Sequence, residues 1–273
     1  MKNNPLTLAS RLIFGFVAVN ALAGAGSLIF FPHQTDQLFF WEIKPALSAA
    51  LFGALYLGGA AMVGWVTYRG IWEEARFLVP ILVSAGLFIS VVTLIHLERF
   101  TPGFMSFYWL VIYIGAPLLA VWVYVKQERQ GANWFVHEPI LPATQLLAGG
   151  SGLTLVVVGI TIMIWPEFVV ANWPWPVAAL MIRIFAAWFS AFGVGLLWFL
   201  IDRDWQRLHH IPTLMMAAAG ADLLMLMIHV ADLTDVGVRL WLYIGHLTAF
   251  GLIGWGLYRL QTASRPSNPV PAQ

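Results

Sequence analysis

Apolar residues fill this chain in long blocks, and charged residues punctuate them. Reading between the charges gives eight blocks: Leu12–Phe31, Pro45–Tyr68, Phe77–Leu97, Phe104–Val125, Ile140–Trp165, Val177–Ile201, Ile211–Ala231 and Leu240–Tyr258. About 20 apolar residues cross the roughly 30 Å hydrocarbon core of a bilayer, and each block has that length. None alternates apolar with polar positions, as barrel strands do. Backbone polar groups in lipid must be satisfied within the chain, so each block predicts a transmembrane helix. The expected fold is an all-α polytopic membrane protein with eight spans.

The pattern recurs at a shift of 134 residues. Gly15 then meets Gly149, Pro32 meets Pro166, Trp41 meets Trp175, Gly59 meets Gly193, Arg69 meets Arg203 and Gly86 meets Gly220. "LIHLERF" at 94–100 meets "MIHVADL" at 227–233 after a slip of one residue, and "IYIG" at 112–115 meets "LYIG" at 242–245. The placing carries more weight than the number of identities. Both prolines end the first helix of a half, both tryptophans fall in its first outer loop, and both arginines end its second helix. An even number of spans inserts both halves the same way up, so two parallel four-helix repeats are expected, 1–131 and 132–260, followed by a disordered tail, 261–273. "ALAGA" at 21–25 resembles a small-residue cleavage site. The block around it is long for a signal peptide, and its counterpart in the repeat is internal, so the first helix is expected to be retained.

Composition supports the membrane reading. Hydrophobic residues make up 60% of the chain and charged residues 10%, against about 25% charged in a soluble domain. With alternate loops assigned to opposite sides, one side holds Lys2, Arg11, Arg69, Arg76, Lys126, Arg129, Arg203, Arg207, Arg259 and Arg265; the other holds Lys44, Arg99, Arg183 and Arg239. The positive-inside rule then predicts an inner (plasma) membrane protein with both termini in the cytoplasm. A net charge of +1 without a basic run argues against nucleic acid as a partner. The absence of cysteine excludes disulfides and thiolate metal sites. Partners are then the bilayer, a small-molecule ligand or other membrane proteins.

Two further patterns concern packing. Ala50, Ala54 and Gly58 form a ladder of small residues at i, i+4, i+8, and Ala187, Ala191 and Gly195 form another, which lets a second helix approach closely. The outer loops "QLFFWEIKP" (37–45) and "FVVANWPWP" (168–176) place Trp41, Trp173 and Trp175 where an interfacial aromatic belt is expected. Pro45 and Pro176 are placed to start the helices that follow.

Candidate chemistry rests on ionisable residues within the spans, which are costly in hydrocarbon and normally face a bundle interior. Arg183 lies about 9 Å and Asp222 about 13 Å inside the same face, which predicts an Arg183–Asp222 ion pair. Asp222 and His229 share one face of the seventh helix at i and i+7. With His246 and, from the other half, His96, they form one candidate ligand-binding cluster. At the 134-residue shift the first half offers Phe88 and Ala49 in place of Asp222 and Arg183. His96 and His229 at matched positions raise a further possibility, bis-histidine ligation of haem b, or a metal with His246 as third ligand. No G-x-S-x-G, H-E-x-x-H, P-loop or dinucleotide motif occurs, so nothing points to a hydrolase or an ATP-driven pump. Three readings of function follow: binding or transport of a small molecule in the outer half of the bundle, a haem- or quinone-binding redox subunit, and an accessory subunit of a membrane complex.

Overall fold

The computed structural model describes residues 4–263. Lys2, Arg265 and most of the 261–273 tail therefore lie outside the described residues, while 261–263 complete the last helix. Eight helices are long and apolar enough to cross a membrane. They are α1 (Leu8–Phe30), α2 (Ala46–Arg69), α3 (Leu78–Ile95), α4 (Phe104–Glu128), α5 (Pro142–Ile164), α6 (Ala179–Leu197), α7 (His210–Ile228) and α8 (Val238–Ala263). One-turn helices at 72–75 and 205–208 precede α3 and α7, and short helices at 35–38 and 166–171 lie in the loops before α2 and α6.

Charges marked the spans well but not their ends. The α1 helix starts at Leu8, because the Thr7 hydroxyl accepts the Ser10 N–H and caps the first turn. Arg11, Lys126, Arg239 and Arg259 all sit inside helices. The α2 helix stops at Gly70, whose φ of 66° is the left-handed conformation that favours glycine. Pro45 is the N-cap of α2 as expected, but Pro176 lies three residues short of α6.

The helices form a ring whose order differs from chain order. Helix α1 packs on α2, α2 on α7, α7 on α8, α8 on α5, α5 on α6, α6 on α3 and α3 on α4; a slender α4–α1 contact closes it. Thus α2 and α3, consecutive in sequence, each pack on a helix of the other half. The apolar windows of α2 and α6 are the most enclosed, 72% buried in each. The small-residue ladders lie at these cross-half contacts. A Cβ on Gly58 would stand 2.9 Å from Leu214 of α7, and one on Gly195 2.9 Å from Ile81 of α3.

On the face that carries the 129–141 linker, the chain before α1 is bonded to the start of the 72–75 turn. Leu6 N–H donates to the Gly70 carbonyl (2.8 Å) and Trp72 N–H to that of Asn4 (2.9 Å). Equivalent bonds join Ile140 to Arg203 (3.1 Å) and Trp205 to Glu138 (2.8 Å). Gln127 at the end of α4 accepts the Thr7 N–H and donates to the Pro5 carbonyl. Gln261 at the end of α8 accepts the Leu141 N–H and donates to the Pro139 carbonyl. Each of these partners lies 133 or 134 residues from its counterpart.

At the distal face the aromatic loops turn inward. Trp41 and Trp175 are buried, at 2% and 1% exposure, and Trp173 is half-buried. Trp41 packs among Phe39, Phe100 and Trp109, and Trp175 against Trp173 and Tyr243. The expectation of headgroup anchoring is corrected for Trp41 and Trp175. Their loops fold over the helix ends, and the rings fill the core beneath. The Trp175 Nε1–H also donates to Ser48 in α2 (2.9 Å), tying the second half to the first.

Candidate functional site: a membrane-level cavity and buried polar groups

The expected Arg183–Asp222 ion pair does not form. Arg183 Nε–H donates to the Met163 carbonyl at the end of α5 (2.9 Å), and its Nη1 donates to Nε2 of His96 (2.8 Å). The reason is azimuth. In the ring α6 lies between α5 and α3, so an arginine on its first turns reaches the ends of those helices rather than the Asp222 face of α7. Because arginine stays protonated, Nε2 of His96 is the acceptor and Nδ1 carries the imidazole proton.

The five sequence candidates therefore split. Only Arg183 and His96 meet. His229 is half-buried at the C-cap of α7, the position that His96 occupies on α3. His246 lies exposed on α8 with its ring edge-to-face on Phe189 (4.9 Å between centroids). Among the described residues no three histidines or carboxylates come together to hold a metal. The Nε2 of His96 is engaged by Arg183.

Asp222 is 6% exposed, and its Oδ1 has no hydrogen-bond partner among the described residues. An ionised carboxylate at such depth costs roughly 2.5–3.5 kcal/mol on insertion scales.

Sequence reading missed an enclosed apolar cavity at membrane level. It holds about 380 Å³, within the range of small-molecule sites. It opens where α2 and α3 lie apart, with α1 and α4 as its outer walls and Trp188 of α6 and Leu214 of α7 behind. Its lining carries no charged side chain. Phe16, Leu38 and Met105 line it and are also exposed, so its mouth faces the surroundings along the slender α1–α4 seam.

Two polar pairs interrupt the apolar wall. The hydroxyls of Tyr56 (α2) and Tyr113 (α4) bond each other, and the Tyr108 hydroxyl donates to the Asn20 side-chain carbonyl. The Asn20 amide donates onward to the Phe16 carbonyl. Tyr56 is 7% exposed and lies against Gly24, where a Cβ would touch its ring at 3.4 Å. Asn20 and Gly24 share a face one turn apart, so the two pairs stand about 6 Å apart along α1. The single bond between Tyr56 and Tyr113 uses one of two O–H protons. The other has no protein acceptor among the described residues and is available to a guest.

A second polar group lies at the linker face. Arg76 is fully buried. It donates from Nε to Glu128 (2.8 Å), stacks on the Trp134 ring (3.8 Å) and approaches Asp202 at 4.0 Å. Arg207 grips Asp202 through Nε and Nη2 (3.0 and 2.6 Å) and donates to the Phe135 carbonyl of the linker. Burial lifts the Asp202 carboxyl above its ordinary pKa, against the pull of Arg207 and Arg76. The network joins the ends of both halves to the linker, and removing one member of such a buried pair costs about 3–5 kcal/mol. Its sequence signal was faint: Arg76 and Arg207 read only as inside-loop charges.

Against known proteins, no family model, no curated protein and no solved structure matches this chain.

Proposed function

We propose that this multi-pass membrane protein binds a neutral, lipid-soluble small molecule in the cavity between α1, α2, α3 and α4. The observation that carries the reading is an uncharged cavity of about 380 Å³ with one unspent tyrosine O–H inside it. An unsatisfied donor in an apolar wall is costly, and a carbonyl, ether or hydroxyl on the guest relieves it. A charged guest would meet no counter-charge. The mouth on the α1–α4 seam suits entry from the bilayer, which makes binding or transport of a lipid-phase molecule the function that this geometry supports best. Of the redox readings, a quinone fits this chemistry, with its carbonyl on the tyrosine pair.

The test is thermal unfolding of the purified protein with a short-tailed quinone as the probe. The expected result is an upward shift of several degrees for wild type. The shift should shrink in the double variant Tyr56→Phe/Tyr113→Phe, which removes both hydroxyls, and vanish in Ala85→Phe, which fills the cavity. Equal shifts in wild type and Ala85→Phe, or no shift in wild type, would reject this site.

We also infer that the chain arose by duplication of a four-helix unit, with parallel halves 1–131 and 132–260. The support is the recurrence of the Gln127 and Gln261 pins, the Leu6–Gly70 and Ile140–Arg203 bonds, and the capping histidines at a near-constant spacing. The cavity is lined mainly by the first half and backed by Trp188 and Leu214 of the second, whereas Arg183 and Asp222 have no counterpart in the first, which fits specialisation of the two halves. The excess of Lys and Arg toward the linker face supports a cytoplasmic location for both termini, in the plasma membrane.

A further inference from the structure

We propose that Arg183, held by His96 and the Met163 carbonyl, anchors a site for a phosphate oxyanion, independent of the cavity. A guanidinium has five N–H donors in a planar fork. Here one goes to Met163 and one to His96, both neutral acceptors. Three donors remain. Among the described residues no aspartate or glutamate forms an ion pair with Arg183, whereas the two buried arginines, Arg76 and Arg207, each have one. The closest acid along the chain from His96 is Glu98. It lies 4.0 Å from His96 Nδ1 and 3.7 Å from Arg99, on an exposed one-turn helix. The two fixed bonds orient the fork, because Nε and Nη1 are both tied to helix ends.

The surroundings indicate how an oxyanion would arrive. Arg183 is half-buried on the second turn of α6, about 6 Å from its start, a depth from which arginine reaches the headgroup level. Leu94 and Ile95 of α3, Ile164 at the end of α5 and Trp165 just after it flank the site and are exposed to the surroundings, at 50–63%. A cation between helix ends with apolar flanks suits a phospholipid, its phosphate on the fork and its chains on those flanks. Free phosphate would use the same fork without the flanks. Arginine matches a phosphate bidentately, which lysine does not.

The test uses the full chain in a maltoside detergent free of phosphate, with native mass spectrometry as the readout. Dioctanoyl phosphatidylglycerol is titrated against dioctanoylglycerol, and inorganic phosphate is added as competitor. The expected result is one phosphatidylglycerol per chain, bound at least tenfold more tightly than the neutral lipid. Arg183→Gln should abolish that preference and Arg99→Gln should leave it intact. Displacement by millimolar inorganic phosphate assigns the fork to a soluble anion; resistance to it assigns a lipid. Wild type with no preference for phosphatidylglycerol overturns the site, as does an undiminished preference in Arg183→Gln. Should Arg183→Gln fail to give monodisperse protein, the wild-type preference over the neutral lipid decides.

Discussion

Asp222 shows what a single side chain can and cannot reveal. Its burial was legible in the sequence; its lack of an ion-pair partner was not, because depth along a helix says nothing of the direction in which the side chain points. Arg183 sits at a compatible depth yet turns toward α3 and α5. A carboxyl whose Oδ1 is buried without a partner contributes no pairing energy to the fold. Asp222→Asn keeps the shape and removes the charge. Its expected effect is neutral to about 1 kcal/mol stabilising, read as the midpoint of detergent or denaturant unfolding. A loss of 2 kcal/mol or more would mean that the carboxylate itself is bound by something. The Tyr56–Tyr113 pair had no signature in sequence at all, since a tyrosine within a span reads as any other aromatic residue.

Helices were the most legible level. All eight spans correspond to apolar blocks, because hydrophobic length alone decides insertion. Helix ends were less legible, since caps and lipid-facing arginines do not respect a boundary drawn at charges. The aromatic loops misled for a related reason: tryptophan suits both a headgroup and a packed core, and only tertiary folding chooses between them. The crossing of α5 and α6 is the tightest part of the second half. A Cβ on Gly152 would lie 2.8 Å from the Gly193 carbonyl oxygen, and one on Gly193 2.7 Å from that of Gly152. Both obstacles are backbone, which cannot swing aside. Gly193→Ala is therefore expected to cost about 1–3 kcal/mol, measured as a lowered unfolding midpoint, whereas Gly220→Ala, with open space around it, should cost little.

At the scale of the whole molecule, the recurrence of landmarks was visible in the sequence but the ring order was not. Nothing in the hydrophobic pattern says that α2 packs on α7 rather than α3, because small-residue ladders state that a helix will approach without naming which. Orientation remains testable with a chain that has no cysteine of its own. Single cysteines at Gly131 and Asp235 lie on opposite faces. An impermeant maleimide added to intact cells is expected to label Asp235→Cys and leave Gly131→Cys unlabelled; labelling at 131 would reverse the proposed topology.

The ring order also has a consequence in time. The main partner of α2 besides α1 is α7, about 140 residues further along the chain. At a synthesis rate of about 5–20 residues per second, α2 waits about 7–30 s for it. During that interval Gly58 and its ladder face lipid or a chaperone, and the Arg76 end of the linker network lacks Asp202. The second half then completes the first rather than merely following it. Premature termination anywhere before α7 leaves the most enclosed helix of the first half without its seat, a state that membrane quality control is built to remove.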